Sequence, residues 1–403
     1  MKNKSILKNP GMILAIYWIV LVIWQIISGT EVKSTPDLII KIGLIIYLII
    51  SYFVINKSIK IKRLLICSIF ACSLFPAFIN EKFELSIFIF YMFIVLLVML
   101  HYCIGEHFCI CEKQYLIILR IIIFVCLISS FYAIIFCTQQ FIDAFKIDNA
   151  YGNQLSSFFD SSHTYGMYLS AGIISCLFCL KNNISIGRKC YYIICLFLFL
   201  PNLILTFSRT SIFSVVIFLF FFILFGKNKK IKFILFISVI VVTVSVLSIP
   251  TLSNFMNNII FKKGNVAGRD ILLERSFELF NSLSFKEKIF GVGKNYLKEY
   301  LIETCQHESV HNAYVEILLI FGFSGLIWLL IVLFFTFKKY IKLYKVNKYW
   351  SICFICLEIW CICMMTSNTF IIFTSPKDSF FLTIFSIIIP SYFSNYLLEE
   401  GVD

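Results

Sequence analysis

Three short stretches of this chain hold residue types that manage charge or move a proton. In Leu205-Thr206-Phe207-Ser208-Arg209-Thr210-Ser211 a guanidinium stands among hydroxyl side chains just where an apolar helix begins. A helix start exposes unsatisfied N–H groups and the positive end of the dipole, so an added arginine makes a phosphate site. An interfacial arginine also snorkels to water, so Arg209 alone leaves both readings open. Arg269, after Gly268, repeats the anion-site logic at the start of a second helix, with Arg275 six residues on. A solvated loop arginine is the plain alternative there.

His311 opens a third stretch, Glu308-Ser309-Val310-His311-Asn312-Ala313-Tyr314-Val315-Glu316. Imidazole titrates near neutral pH and can shuttle a proton or orient a hydroxyl. It can equally be a polar anchor at an interface. Asn312 and Glu316 are four apart and share a helix face. His307 reads as ordinary loop. His163, in Asp160-Ser161-Ser162-His163-Thr164-Tyr165-Gly166, stands at another helix start.

The elements that position these residues are those of a membrane protein. Apolar residues make up 60% of the chain and charged residues 14%, with a mean hydropathy of +0.92. A soluble domain carries about 45–50% apolar and roughly 25% charged residues. The fold class expected is all-α, a single polytopic bundle over residues 1–403. A spanning helix needs about 20 mostly apolar residues. Such runs fall near 12–29, 38–55, 64–79, 86–104, 115–137, 164–180, 190–206, 211–226, 233–250, 311–336, 350–367 and 380–397. They predict about 12 transmembrane helices. The first run follows Lys2, Lys4 and Lys8 and lacks a small-residue cleavage site, so it reads as a retained helix.

The net charge of +13 does not imply nucleic acid, because the basic residues lie in short runs between apolar segments. Lys57, Lys60, Lys62 and Arg63 form one run, Lys181, Arg188 and Lys189 another. Lys227, Lys229, Lys230 and Lys232 form a third, and Lys338, Lys339, Lys342, Lys345 and Lys348 a fourth. All fall in one alternate set of loops. The positive-inside rule then puts both termini in the cytoplasm and residues 251–310 in one long exoplasmic loop. Arg209, Arg269, His163 and His311 converge on that exoplasmic face. Within the loop, Leu273, Phe277 and Phe280 recur at helical spacing after Asp270, which predicts a capped amphipathic helix at the membrane surface.

Two other features have bland and sharp readings. Cys176 with Cys179, and Cys353 with Cys356, show C-x-x-C spacing inside apolar runs. No second pair or nearby histidine completes a zinc site, so they read as small apolar filler, and neither metal nor cofactor is expected. Glu358 lies mid-span. An acid at membrane depth is a functional candidate, such as a proton-coupling group of a transporter, or a protonated or paired member of the bundle.

The three stretches together resemble the bacterial O-antigen polymerases and O-antigen ligases. Ser208-Arg209-Thr210 looks like that family's helix-start element. Arg269 followed by a short helix and Ile289-Phe290-Gly291-Val292-Gly293 looks like its loop element. His311-Asn312-Ala313-Tyr314, with Gly322 and Gly325 downstream, looks like its "HN" helix start. The order matches over about residues 160–330. The resemblance implies a metal-independent glycosyltransferase of the bacterial inner membrane. Its donor would be an undecaprenyl-diphosphate-linked oligosaccharide, bound among membrane lipid. Other polysaccharide-assembly proteins, a flippase and a chain-length regulator, would be partners. Arg209 and Arg269 would hold the diphosphate, with Arg275 a competitor for the second place. His311 would act at the acceptor hydroxyl. Asn312 and Tyr314 beside it, and His163 by its own helix start and not by any motif of that family, are the further candidates for substrate binding. The expected product is a surface polysaccharide, O-antigen or capsule, made by a polymerase. A ligase of the same family and a lipid-linked oligosaccharide flippase are the alternatives.

Overall fold

The apolar runs of the sequence form helices wherever the chain is described. The computed structural model describes residues 65–66, 68–73, 108–144, 154–159, 161–180, 185–225, 269–366 and 381–400. Within these the structure is all-helical. The helices are α1 Glu112–Ile135, α2 Thr138–Ala144, α3 Ser162–Leu180, α4 Ile186–Leu205, α5 Arg209–Phe225, α6 Arg269–Ser282, α7 Phe285–Phe290, α8 Lys294–Cys305, α9 Ala313–Val346, α10 Lys348–Met364 and α11 Ile389–Glu400. A π-helical turn, Ile384–Ile388, leads into α11.

Five described segments are long and apolar enough to cross a membrane: α1, α3, α4, α9 and Phe381–Glu399. Helix α5 is apolar and 17 residues long, the lower end of what spans. The expected spans 12–29, 38–55, 86–104 and 233–250 lie outside the described residues. So does half of 64–79, whose described part is helical. Against the expected dozen or so spans, five candidates stand among the described residues.

The helices pack against one another as a bundle. α3 lies between α1 and α4, α5 packs on α3 and α10, and α9 packs on α10 and α11. Their outer faces carry Phe197, Phe213, Phe220, Phe334 and Phe335, all more than half exposed. In water that would be untenable, whereas against lipid tails such rings are in their own solvent. Several inner hydroxyls bond the backbone one turn earlier, as with Ser170 to Met167 O at 2.7 Å and Thr336 to Val332 O at 2.8 Å. Asn202 and Tyr165 join α4 to α3 through a 3.1 Å hydrogen bond.

Two boundaries depart from expectation. Helix α9 runs 34 residues, past the basic cluster that reads as a loop, so Lys338, Lys339, Lys342 and Lys345 ride on a continuing helix. At about 1.5 Å per residue it is roughly 51 Å long, more than a hydrocarbon core of about 30 Å requires. Its length is interrupted at Gly322, with φ 66° and ψ −163°, a backbone region that is essentially glycine-only. Helix α6 begins at Arg269, so Asp270 falls in its first turn rather than capping it. Its inward stripe is Leu272, Ser276 and Leu279, continued by Leu283 just past its end, while Phe277 is half exposed. Ser276 holds the inward position by donating to Leu272 O at 2.6 Å, and an apolar count passes over it.

Candidate functional site

The Arg209 element is built by a tight reversal. Helix α4 ends at Leu205, and Thr206 donates to Leu203 O at 2.7 Å while its Oγ1 accepts from Ser208 N–H at 3.2 Å. Phe207, buried at φ 52°, takes the left-handed conformation that turns the chain back. Helix α5 then starts at Arg209, which is half-buried. Ser208 Oγ lies 2.8 Å from Ser211 Oγ and 3.2 Å from His163 Nδ1. That contact joins two helix starts, α3 and α5, that the sequence separates by 45 residues. Gly166 permits it: a Cβ there would stand 2.9 Å from both Ser208 Cβ and Ser211 Oγ.

The His311 element is a second specialised helix start. His311 adopts φ 57°, a left-handed conformation uncommon outside glycine. Asn312 caps α9, its Oδ1 accepting from Tyr314 N–H at 3.1 Å and Val315 N–H at 3.3 Å. Ala313 N–H donates to Met365 O at 3.1 Å, and Tyr314 OH donates to Ile362 O at 2.9 Å. Ala313 and Tyr314 thus fasten the start of α9 to the end of α10, while Asn312, expected with Tyr314 to touch substrate, caps α9 itself. His307, expected to be ordinary loop, has its ring centroid 6.0 Å from that of His311, at 81°.

The loop element docks onto the break in α9. Helix α7 is opened by a capping box, with Glu287 N–H on Ser284 Oγ and Ser284 N–H on Glu287 Oε2 at 2.8 Å. It is closed by Gly291 at φ 83°. The interruption at Gly322 takes the carbonyls of Leu319 and Ile320 away from their usual helical donors. Val292 N–H reaches Leu319 O at 2.9 Å and Gly293 N–H reaches Ile320 O at 3.1 Å. A Cβ on Gly291 would collide with the Ile320 carbonyl, and one on Gly322 with the Ile289 carbonyl. Both glycines are therefore needed for backbone to meet backbone.

Arg269 is the first residue of α6, and its side chain lies outside what the structure describes. Arg275, its competitor, holds Glu278 at 2.6 Å on the exposed face. Glu358 is buried in α10 with neither carboxylate oxygen hydrogen-bonded among the described residues. It lies six residues before Met364, at about 1.5 Å per residue roughly 9 Å along the axis.

One junction ties two of the elements together. Ser214, in the second turn of α5, lies with its Oγ 3.1 Å from Met364 Sδ, and Met365 holds the start of α9. His163, Ser208, Arg209, His311 and Asn312 therefore gather at one end of the bundle. No described contact brings Arg269 to them. The sequence reading missed the His163–Ser208 contact and the break at Gly322. The glycine signal was present, but the partner of Gly322, the Gly291–Gly293 turn, lies about 30 residues upstream. No curated protein gives a significant match to this chain. Residues 194–330, which contain Arg209, Arg269, His311 and the break in α9, match the family described as O-antigen ligase.

Proposed function

We propose that this protein is a membrane polymerase of a surface polysaccharide, O-antigen or capsule, acting on undecaprenyl-diphosphate-linked glycan at the exoplasmic face. Members of the matched family transfer lipid-linked glycans in surface polysaccharide assembly. The observation that carries the reading is the gathering of Arg209, His163 and His311 at one end of the bundle by the Ser208 and Met364–Met365 junctions.

In the reaction, an acceptor sugar hydroxyl attacks the anomeric carbon of the donor glycan. The bond from that carbon to the phosphate oxygen breaks, and undecaprenyl diphosphate leaves with the electron pair. Arg209 and the N–H groups that open α5 stabilise the charge developing on the diphosphate, with Arg269 as second ligand. Arginine suits this because its planar fork binds phosphate oxygens in pairs. His311 takes the hydroxyl proton or orients it, help worth about 10²–10⁴-fold. His163 orients Ser208 beside the diphosphate. The carrier tail lies among the exposed phenylalanines between helices.

The second reading is a ligase, favoured by the family description itself. Deleting the gene and analysing the lipid-linked glycans separates these. A polymerase predicts single repeats accumulating on the outer leaflet. Long chains still on the carrier would replace it with the ligase. Repeats held on the cytoplasmic leaflet would replace both with a flippase.

A further inference from the structure

Glu316 lies on α9, one turn below the Asn312 cap and on the helix that His311 opens. It is 6% exposed, and its Oε2 is buried with no hydrogen-bond partner among the described residues. A buried carboxylate oxygen without a donor is costly and rare, so its persistence calls for a cause. The hydrogen bonds from Val292 and Gly293 to Leu319 and Ile320 bring the loop turn alongside this face of α9. Lys294, the next residue, lies within electrostatic reach of Glu316. The carboxylate is thus held between the helix start and the docked turn, with one cation near it and a vacant acceptor.

We propose that Glu316 is a glycan-binding residue whose carboxylate accepts hydroxyl hydrogen bonds from the acceptor sugar entering beside His311. The chemistry selects the ligand class. A carboxylate repels the diphosphate that Arg209 attracts, so its natural partner is a neutral, hydroxyl-rich group. Sugar hydroxyls supply the donors that its buried oxygen lacks among the described residues. Lys294 offsets the cost of keeping the charge in a nearly closed place. The inference rests on the transferase reading above.

The test uses the full-length protein in liposomes, with undecaprenyl diphosphate as one probe and lipid-linked repeats extracted from the deletion strain as the other. Glu316→Gln keeps the shape and removes the charge. It is expected to raise the half-saturating concentration of repeats at least about tenfold, the scale of one lost hydrogen bond to a charged group. Its binding of undecaprenyl diphosphate is expected to match the parent. Lys294→Met is a second variant, expected to shift the same concentration in the same direction if Glu316→Gln does not accumulate. Parental concentration dependence in the variant that accumulates overturns the proposal. So does a parallel loss of undecaprenyl diphosphate binding, which would mean that Glu316 shapes the bundle. A parent protein that transfers nothing defeats the transferase reading, and this inference with it. A parent that transfers and a Glu316→Gln that equals it defeats this inference alone.

Discussion

At the scale of single residues, the account turns on what a guanidinium and its neighbours do at a helix start. Arg209→Lys keeps the charge but loses the planar fork, so transfer is expected to fall at least about tenfold while the protein still accumulates in the membrane. Measuring polymer on the complemented deletion strain checks this, and near-normal polymer removes Arg209 from the mechanism. Ser208→Ala breaks the bridge from His163 to Ser211 and is expected to lower transfer less than Arg209→Lys does. Residue types were legible in the sequence because arginine and histidine stand out in an apolar chain. Contacts across 45 residues were not: nothing in the spacing of His163 and Ser208 reveals that Gly166 lets their helices close.

At the scale of elements, the break in α9 and the loop turn that repairs it form one unit. Gly322→Ala must place a Cβ against the Ile289 carbonyl and hold a glycine-only conformation. The strain alone costs roughly 1–3 kcal/mol. The expected outcome is an undocked turn, read as faster proteolysis within residues 269–305 while the other helices stay protected. Protection equal to the parent would show that the docking is not held by this glycine. The capping box adds a pH dependence. Hydrogen bonds from the Ser284 side chain and backbone hold Glu287 below its ordinary value of 4.5. Its support of α7 is complete above the unfolded value and is lost as pH falls through the lower, folded one. Amide exchange of residues 285–293 is expected to lose protection in that acid window, and Glu287→Gln to abolish the dependence. The amphipathic pattern of α6 was legible in outline and off by one position, because Ser276 faces inward by bonding its own backbone.

At the scale of the whole molecule, composition settled the helical class and the membrane setting, since no watery surface tolerates so many exposed phenylalanines. Helix starts were readable to within a few residues for α1, α3, α4, α5, α9 and α10. The far end of α9 was not, because lysines signal the edge of the membrane and not the end of a helix. We propose, from the charge pattern of the loops, that the Arg209 end faces outward, so impermeant labelling of His307→Cys in intact cells is expected to succeed without permeabilisation. The claim that matters most is transfer from a lipid carrier, and the direct measurement is reconstitution. Purified protein in liposomes, given lipid-linked repeats extracted from the deletion strain and no nucleotide sugar, is predicted to yield longer lipid-linked chains and to release undecaprenyl diphosphate. Repeats recovered at their original length, with no carrier diphosphate freed, would contradict it.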